Sequence, residues 1–323
     1  MGATPAPTGI TTAPSTPVAG AVATRRRRYS LLTRGDKLVL ALMVGIPAFI
    51  HIFLVWVPTV ASVLLSFTTW NGIGGLDKIK FVGLKNYDDL VNVYDAFWPA
   101  VSHNLIWLGV FLFIATPIGM FLAVLLDKNI RGTRIYQSVL YIPVVLSLAI
   151  VGFIWNLQYA PEQGFINNVL GTTRPDNLIE WLGNKDINLW AVLVAASWRH
   201  IGYIMVLYLA GLKSVDPTLR EAAAIDGANE RQAFFRVIFP VLLPINIIVL
   251  VVTVIESLRA FDLVYIINRG RNGLELLSVL VTQNIIGESQ RIGFGSAIAV
   301  ILLSISVVPI IVYLSRTLRE DRT

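Results

Sequence analysis

Few side chains in this sequence could do chemistry within its apolar stretches, and they fall in two places. Thr253, Glu256, Ser257 and Ala260 recur at i, i+3, i+4 and i+7, which puts two hydroxyls and a carboxylate on one face of a helix in an otherwise apolar run. Trp198, Arg199, His200 and Tyr203 form the second group. A charged arginine in hydrocarbon costs about 3 kcal/mol or more on insertion scales, so Arg199 needs compensation. Hydroxyls, charges and ring faces are the chemistry of binding a polar solute, and such a face seeks the interior of a bundle. Structural alternatives stand beside this reading: snorkelling of Arg199 or its pairing with Glu256, and lipid-facing packing for Trp198 and Trp155.

Bond-breaking chemistry has no such foothold. Gly211-Leu212-Lys213-Ser214 is the nearest string to a phosphate-binding loop and lacks the glycine spacing that lets backbone amides cradle phosphates. His51, His103 and His200 sit in different segments, and there is no cysteine, so neither a metal cluster nor a thiol nucleophile is expected. The expected catalytic and metal residues are none. Acidic residues at mid-membrane would signal an ion-coupled carrier, and Glu256 is the one candidate near the apolar stretches.

The elements that hold these groups follow from composition. Of 323 residues, 55% are hydrophobic and 14% charged, with a mean hydropathy of +0.68; an average soluble protein has about 25% charged residues. Apolar stretches long enough to cross about 30 Å of hydrocarbon lie near 38–67, 100–126, 137–158, 189–212, 237–255 and 295–315. The expected fold is all-α and polytopic, with six transmembrane helices. Pro47, Pro58, Pro117 and Pro143 fall inside them, where kinks are tolerated.

Orientation follows from the connecting segments. The N-terminal tail, 127–136, 213–236 and the C-terminal tail carry 16 basic and 8 acidic residues; 68–99, 159–188 and 256–294 carry 9 basic and 12 acidic. The positive-inside rule then places both termini in the cytoplasm. The basic excess borders the membrane, so anionic lipid accounts for it without nucleic acid. Residues 1–24 are nearly all Ala, Pro, Thr, Gly, Ser and Val and are expected to be disordered, with Arg25 to Arg28 acting topogenically. The expected divisions are a tail and basic segment over 1–37, a membrane domain over 38–315 and a C-terminal tail over 316–323.

Between the fourth and fifth stretches, over 213–240, lies a polar interruption. Asp216 suits the cap of a helix whose first residue is Pro217, and Gly227 suits its end. Asn229 with Gln232 reads as a capping box opening a second helix that ends near Pro240. Leu219, Ala222, Ala223 and Asp226 share a face of the first helix. That small apolar face suits close approach by a partner's backbone, with Glu221 and Asp226 fixing orientation.

The string Glu221-Ala222-Ala223, then Gly227, then Val237-Ile238-Phe239-Pro240, resembles the EAA loop of the membrane-spanning subunits of binding-protein-dependent ABC importers. Val and Phe stand where the pattern has Ile and Leu. Over roughly 38–315 the chain is similar to the carbohydrate-uptake permeases of the maltose and glycerol-phosphate type, and to their larger subunit in particular. The similarity is carried by Ser66-Phe67, Phe81 to Tyr87, Phe97-Trp98 with Asn104, Gly132-Thr133-Arg134, Pro143 and Trp155. Arg269-Gly270-Arg271-Asn272-Gly273 departs from the family's pattern after Phe261-Asp262.

The resemblance implies a bacterial cytoplasmic-membrane permease that forms a translocation path with a second permease. It implies two cytoplasmic ATPase subunits carrying ATP and Mg, and an external solute-binding protein that delivers a sugar; no cofactor is expected on this chain. Leu219, Glu221, Ala222, Ala223, Asp226 and Gly227 are then the coupling residues. Trp198, Arg199, His200, Tyr203, Thr253, Glu256 and Ser257 are the pathway candidates. A glycerol-phosphate or polyol importer of the same family is the alternative, and an ion-coupled secondary transporter the more remote one.

Overall fold

In the computed structural model, residues 33–320 are described apart from Asn129, Glu288 and Ser289. The tail over 1–24, the Arg25 to Arg28 run and residues 321–323 lie outside the described residues. Two compact units divide the chain, Met1–Val55 and Trp56–Thr323, and the division falls inside the first predicted span.

The first unit holds α1 (Arg34–His51), opened by a reciprocal cap in which Asp36 N–H donates to Thr33 Oγ1 and Thr33 N–H donates to Asp36 Oδ2. Its apolar side chains, Leu38, Met43 and Phe49 among them, are exposed.

The second unit contains, in order, α2 (Val57–Leu65), α3 (Lys85–Asn92), α4 (Phe97–Val110), α5 (Thr116–Asp127), α6 (Thr133–Val145), α7 (Leu148–Gln158) and α8 (Phe165–Leu170). There follow α9 (Asn188–Ser214), α10 (Pro217–Ile225), α11 (Glu230–Ala233), α12 (Phe239–Val241), α13 (Leu243–Leu258), α14 (Asp262–Asn268), α15 (Leu277–Ile285) and α16 (Ile292–Glu320). Among the described residues the extended structure is limited to an isolated bridge between Thr68 and Phe81.

Gly35–Leu65, Phe97–Asp127 and Asn188–Ser214 are long and apolar enough to cross a membrane as single helices. The third and fifth predicted spans are broken instead. α6 and α7 meet at 100°, and the helical run 230–241 meets 243–268 at 75°. The first break has a local cause: Leu146 is extended, and the Ser147 hydroxyl accepts from Ile150 N–H to start a new helix two residues after α6 ends. At the second, Pro244 brings no backbone donor to the start of α13. The last predicted span lies in α16, whose apolar part is Ile292–Val308.

α9 is the axis of the second unit, packed between α5 and α6. Glycines set both approaches: a β-carbon at Gly119 of α5 would lie 2.9 Å from the Ile201 carbonyl oxygen and from Ile204, and one at Gly202 would lie 2.4 Å from the Leu140 carbonyl oxygen of α6. Three apolar clusters fill the interior, around Trp107 and Phe111, around Ile204 and Met205, and around Leu90 and Phe294.

The family-like string Phe81 to Tyr87 has a structural function. Asn86 Nδ2 donates to the carbonyls of Ser66 and Thr68 at 2.8 Å each, closing the C-terminal end of α2, and the Tyr87 hydroxyl lies 2.7 Å from Ser66 Oγ. Asn104 likewise ties three helices, donating to the Ser257 carbonyl and accepting from Leu277 N–H. In the departing segment, Arg269, Gly270, Asn272 and Gly273 all have left-handed φ, so it folds as a tight turn.

Candidate functional site

Two regions gather the candidate residues. The first is an elbow at the end of α9. Thr218 N–H donates to Asp216 Oδ1 at 2.9 Å, and that bond holds the Asp216 carboxyl below the usual carboxylate range while Pro217 fills a position with no donor to satisfy. At the far end Gly227 has φ +78°, with Ala228 N–H bonded to the Ala223 carbonyl and Gly227 N–H to the Ala224 carbonyl. This paired closure satisfies two terminal carbonyls and fixes the turn. Asn229 and Gln232 then cap α11 reciprocally, at 2.9 and 3.0 Å, and a π-helical turn, Phe234–Ile238, leads into α12.

The elbow's residues differ in burial. Ala223 is buried, 5% exposed, and Leu219 is half-buried against the Ile204 cluster. The face that spacing assigned to a partner is therefore divided: Leu219 and Ala223 turn toward the chain's own interior, and Ala222 and Asp226 stay exposed. Helical spacing shows which residues share a face but not where it points, and a small side chain suits close approach to either. Glu221, Ala222, Asp226 and Gly227 are exposed, and between them stands Ile225, 86% exposed.

Two ion pairs that the sequence reading did not single out hold the elbow to the end of α5. Arg220 Nη2 lies 2.6 Å from Asp127 Oδ2, and Lys128 Nζ lies 2.5 Å from Glu230 Oε2. The Lys128 ammonium holds the Glu230 carboxyl below its ordinary value. The available signal was an acid-base doublet ending an apolar run.

The second region is a cavity of about 220 Å3, bordered by Trp107, Phe111, Arg199, His200, Glu256, Arg259 and Asp262. Arg199 Nη1 lies 3.9 Å from Glu256 Oε2, with both side chains partly exposed. The His200 ring stacks on Phe111 at 4.1 Å, and its Nε2 lies 3.3 Å from Thr253 Oγ1, which in turn lies 3.4 Å from Thr116 Oγ1. Of the seven pathway candidates, Arg199, His200 and Glu256 thus share a cavity, with Thr253 directly behind His200.

The remaining candidates lie elsewhere. Ser257 is fully buried, its hydroxyl donating to the Val254 carbonyl. Trp198 packs edge-on against Trp155 at 5.9 Å, and Tyr203 joins the Ile204 cluster. Arg259 and Asp262 enter the wall because α13 ends at Leu258 and α14 starts again at Asp262. Two guanidiniums, two carboxylates and several rings can bind a polar solute from several directions. Among the described residues no cluster of His, Asp and Glu could hold a metal.

The Arg199 and Glu256 pair invites a direct test. Glu256→Gln is expected to lower the melting temperature of the purified protein slightly more than Glu256→Gln combined with Arg199→Gln, since the single change leaves a partly exposed cation without its counter-charge. Equal losses would show the pair to be electrostatically silent.

The family profile described as "Binding-protein-dependent transport system inner membrane component" matches residues 115–320. The chain is 35% identical to the xylose/arabinose import permease protein XacH of Haloferax volcanii over 80% of this chain and 81% of that protein. It is 30% identical to a probable ABC transporter permease protein of Pyrococcus horikoshii, over 84% of this chain and 91% of that one. The fold is similar to a chain in the crystal structure of a bacterial ABC transporter involved in the import of the acidic polysaccharide alginate, with a TM-score of 0.74, 19% identity, and coverage of 88% and 96%.

Proposed function

The chain belongs to the family of binding-protein-dependent transport system inner membrane components, and from that premise we propose that it is a permease subunit of an ATP-binding-cassette importer for a carbohydrate. The observation that carries this reading is the elbow: a short capped helix, held between two membrane-length segments, presents Glu221, Ala222, Ile225 and Asp226 outward. Relatives named for xylose/arabinose, starch degradation products and arabinooligosaccharides support a sugar as solute.

In this reading the six spans are Gly35–Leu65, Phe97–Asp127, the two bent pairs, Asn188–Ser214 and α16. Both termini and the elbow face the cytoplasm, where two ATPase subunits dock and hydrolyse ATP. This chain contributes no catalytic group. A second permease completes the path, and an external binding protein delivers the solute. The cavity of about 220 Å3 is smaller than the roughly 300–1,000 Å3 of ordinary ligand sites, which suits one half of a site shared between two permeases. Arg199 and Arg259 are matched by Glu256 and Asp262 in its wall. That balance favours a neutral sugar over a glycerol-phosphate, which would need a net positive wall.

The test is solute flux in vesicles holding this chain, its partner permease, the ATPases and the binding protein. Uptake of a labelled pentose or oligosaccharide is expected to require internal or external ATP at the ATPase face and to ignore collapse of the ion gradients. Uptake that follows an ion gradient without ATP would replace this reading with a secondary transporter.

A further inference from the structure

Resting on the proposed docking of an ATPase at the elbow, we propose that α5 is the rod that carries elbow movement to the solute cavity, with Asp127 and Arg220 as the joint at its cytoplasmic end. The elbow is attached by its main chain at two points, to α9 through Val215 and Asp216 and to the π turn through 226–233. Packing of Leu219 against the Ile204 cluster and burial of Ala223 hold it from the side. The side-chain link from Arg220 to Asp127 ties it to the end of α5 as well.

The pair is close and partly sheltered. Asp127 is 11% exposed and Arg220 39%, so the contact is sheltered on one side. The adjacent Lys128 and Glu230 pair is 47% and 83% exposed and contributes little stability of its own. Its value is positional: the acid-base order on α5 meets a base on α10 and an acid on α11, so the two pairs grip both sides of the Gly227 turn in one register.

The other end of α5 is where the rod reading gains its content. Thr116, its first residue, touches Thr253, which touches His200 in the cavity wall. Twelve residues of α5 separate these ends, roughly 17 Å of helix. Pro117 follows the π turn inside the continuous helix Phe97–Asp127, and the close approach at Gly119 keys the rod to Ile201 and Ile204 of α9. A π-helical turn, Phe111–Ala115, joins α5 to α4. Such turns inside a helix are rare and frequent at functional sites.

The test uses the assembled importer in vesicles, with Asp127→Arg, Arg220→Asp and the double exchange. Each single variant is expected to lose about tenfold in uptake, while the ATPase still co-purifies and still hydrolyses ATP; the exchange, which restores an ion pair with reversed polarity, returns uptake to within about threefold of the parent. Parental uptake in both single variants would overturn the proposal. So would failure of the exchange to restore uptake, which would show that each residue acts for a reason of its own. Ile225→Asp run in parallel separates this idea from the docking reading beneath it: undiminished ATPase association there refutes the docking surface, whatever the ion-pair cycle shows.

Discussion

Ile225→Asp is expected to abolish both co-purification of the ATPase and ATP-driven uptake, with insertion and folding of the permease unchanged. Ile225 is 86% exposed on α10, between the exposed Glu221, Ala222 and Asp226. Changes at such a position alter a protein's own stability by only about 0.5 kcal/mol. At an interface the same change buries a charge without a partner, and loss of a central apolar anchor costs about 2 kcal/mol or more. Ile225→Leu keeps the apolar volume and is expected to behave as the parent. Ala223→Glu, the substitution that spacing alone would suggest, confuses two effects, because Ala223 is 5% exposed and the new charge would be buried within the permease itself. Pull-down of the ATPase by the Ile225→Asp protein at parental levels would sink the docking surface.

How much of this was legible in the sequence depends on the range of the signal. Caps are local, so Asp216, Pro217, Gly227 and the Asn229 and Gln232 box could be placed from residue types alone, and the structure forms each of them. Hydropathy located the apolar stretches for the same reason. It could not show that the stretches over 137–158 and 237–255 bend by 100° and 75°, because a bent helix and a straight one have the same composition. Which way a face points is decided by distant packing: Leu219 turns inward because the Ile204 cluster lies there, and Ala223 beside it is buried too. The pairing of Asp127 with Arg220 joins positions 93 residues apart, and no periodicity reports it. In the cavity, burial of the polar face on the fifth apolar stretch was foreseeable from its spacing. The division of that face, with Glu256 in the cavity wall and Ser257 bonded back to its own helix, was not.

Gly227→Val is expected to remove ATP-driven uptake by a route distinct from that of Ile225→Asp. The residue has φ +78°, and a β-carbon there would meet nothing within 4 Å, so any effect of substitution comes from the backbone and not from a clash. Left-handed backbone costs an L-residue about 1–2 kcal/mol, less for asparagine, whose side chain can bond locally, and more for a β-branched residue. The uptake series should therefore run Gly, Asn, Ala, Val in falling order. Straightening the turn would break the bonds from Gly227 N–H and Ala228 N–H that close α10, and α11 would leave in a different direction, pulling Glu230 from Lys128. Ile225 stays on the surface throughout, so the ATPase should still be captured, weakly, by the Val variant, while hydrolysis ceases to drive transport. Uptake by Gly227→Val equal to that of the parent would mean that the angle of the elbow has no part in coupling. A fall of the same size in Asn, Ala and Val would point to a contact made by the glycine itself and not to its conformation.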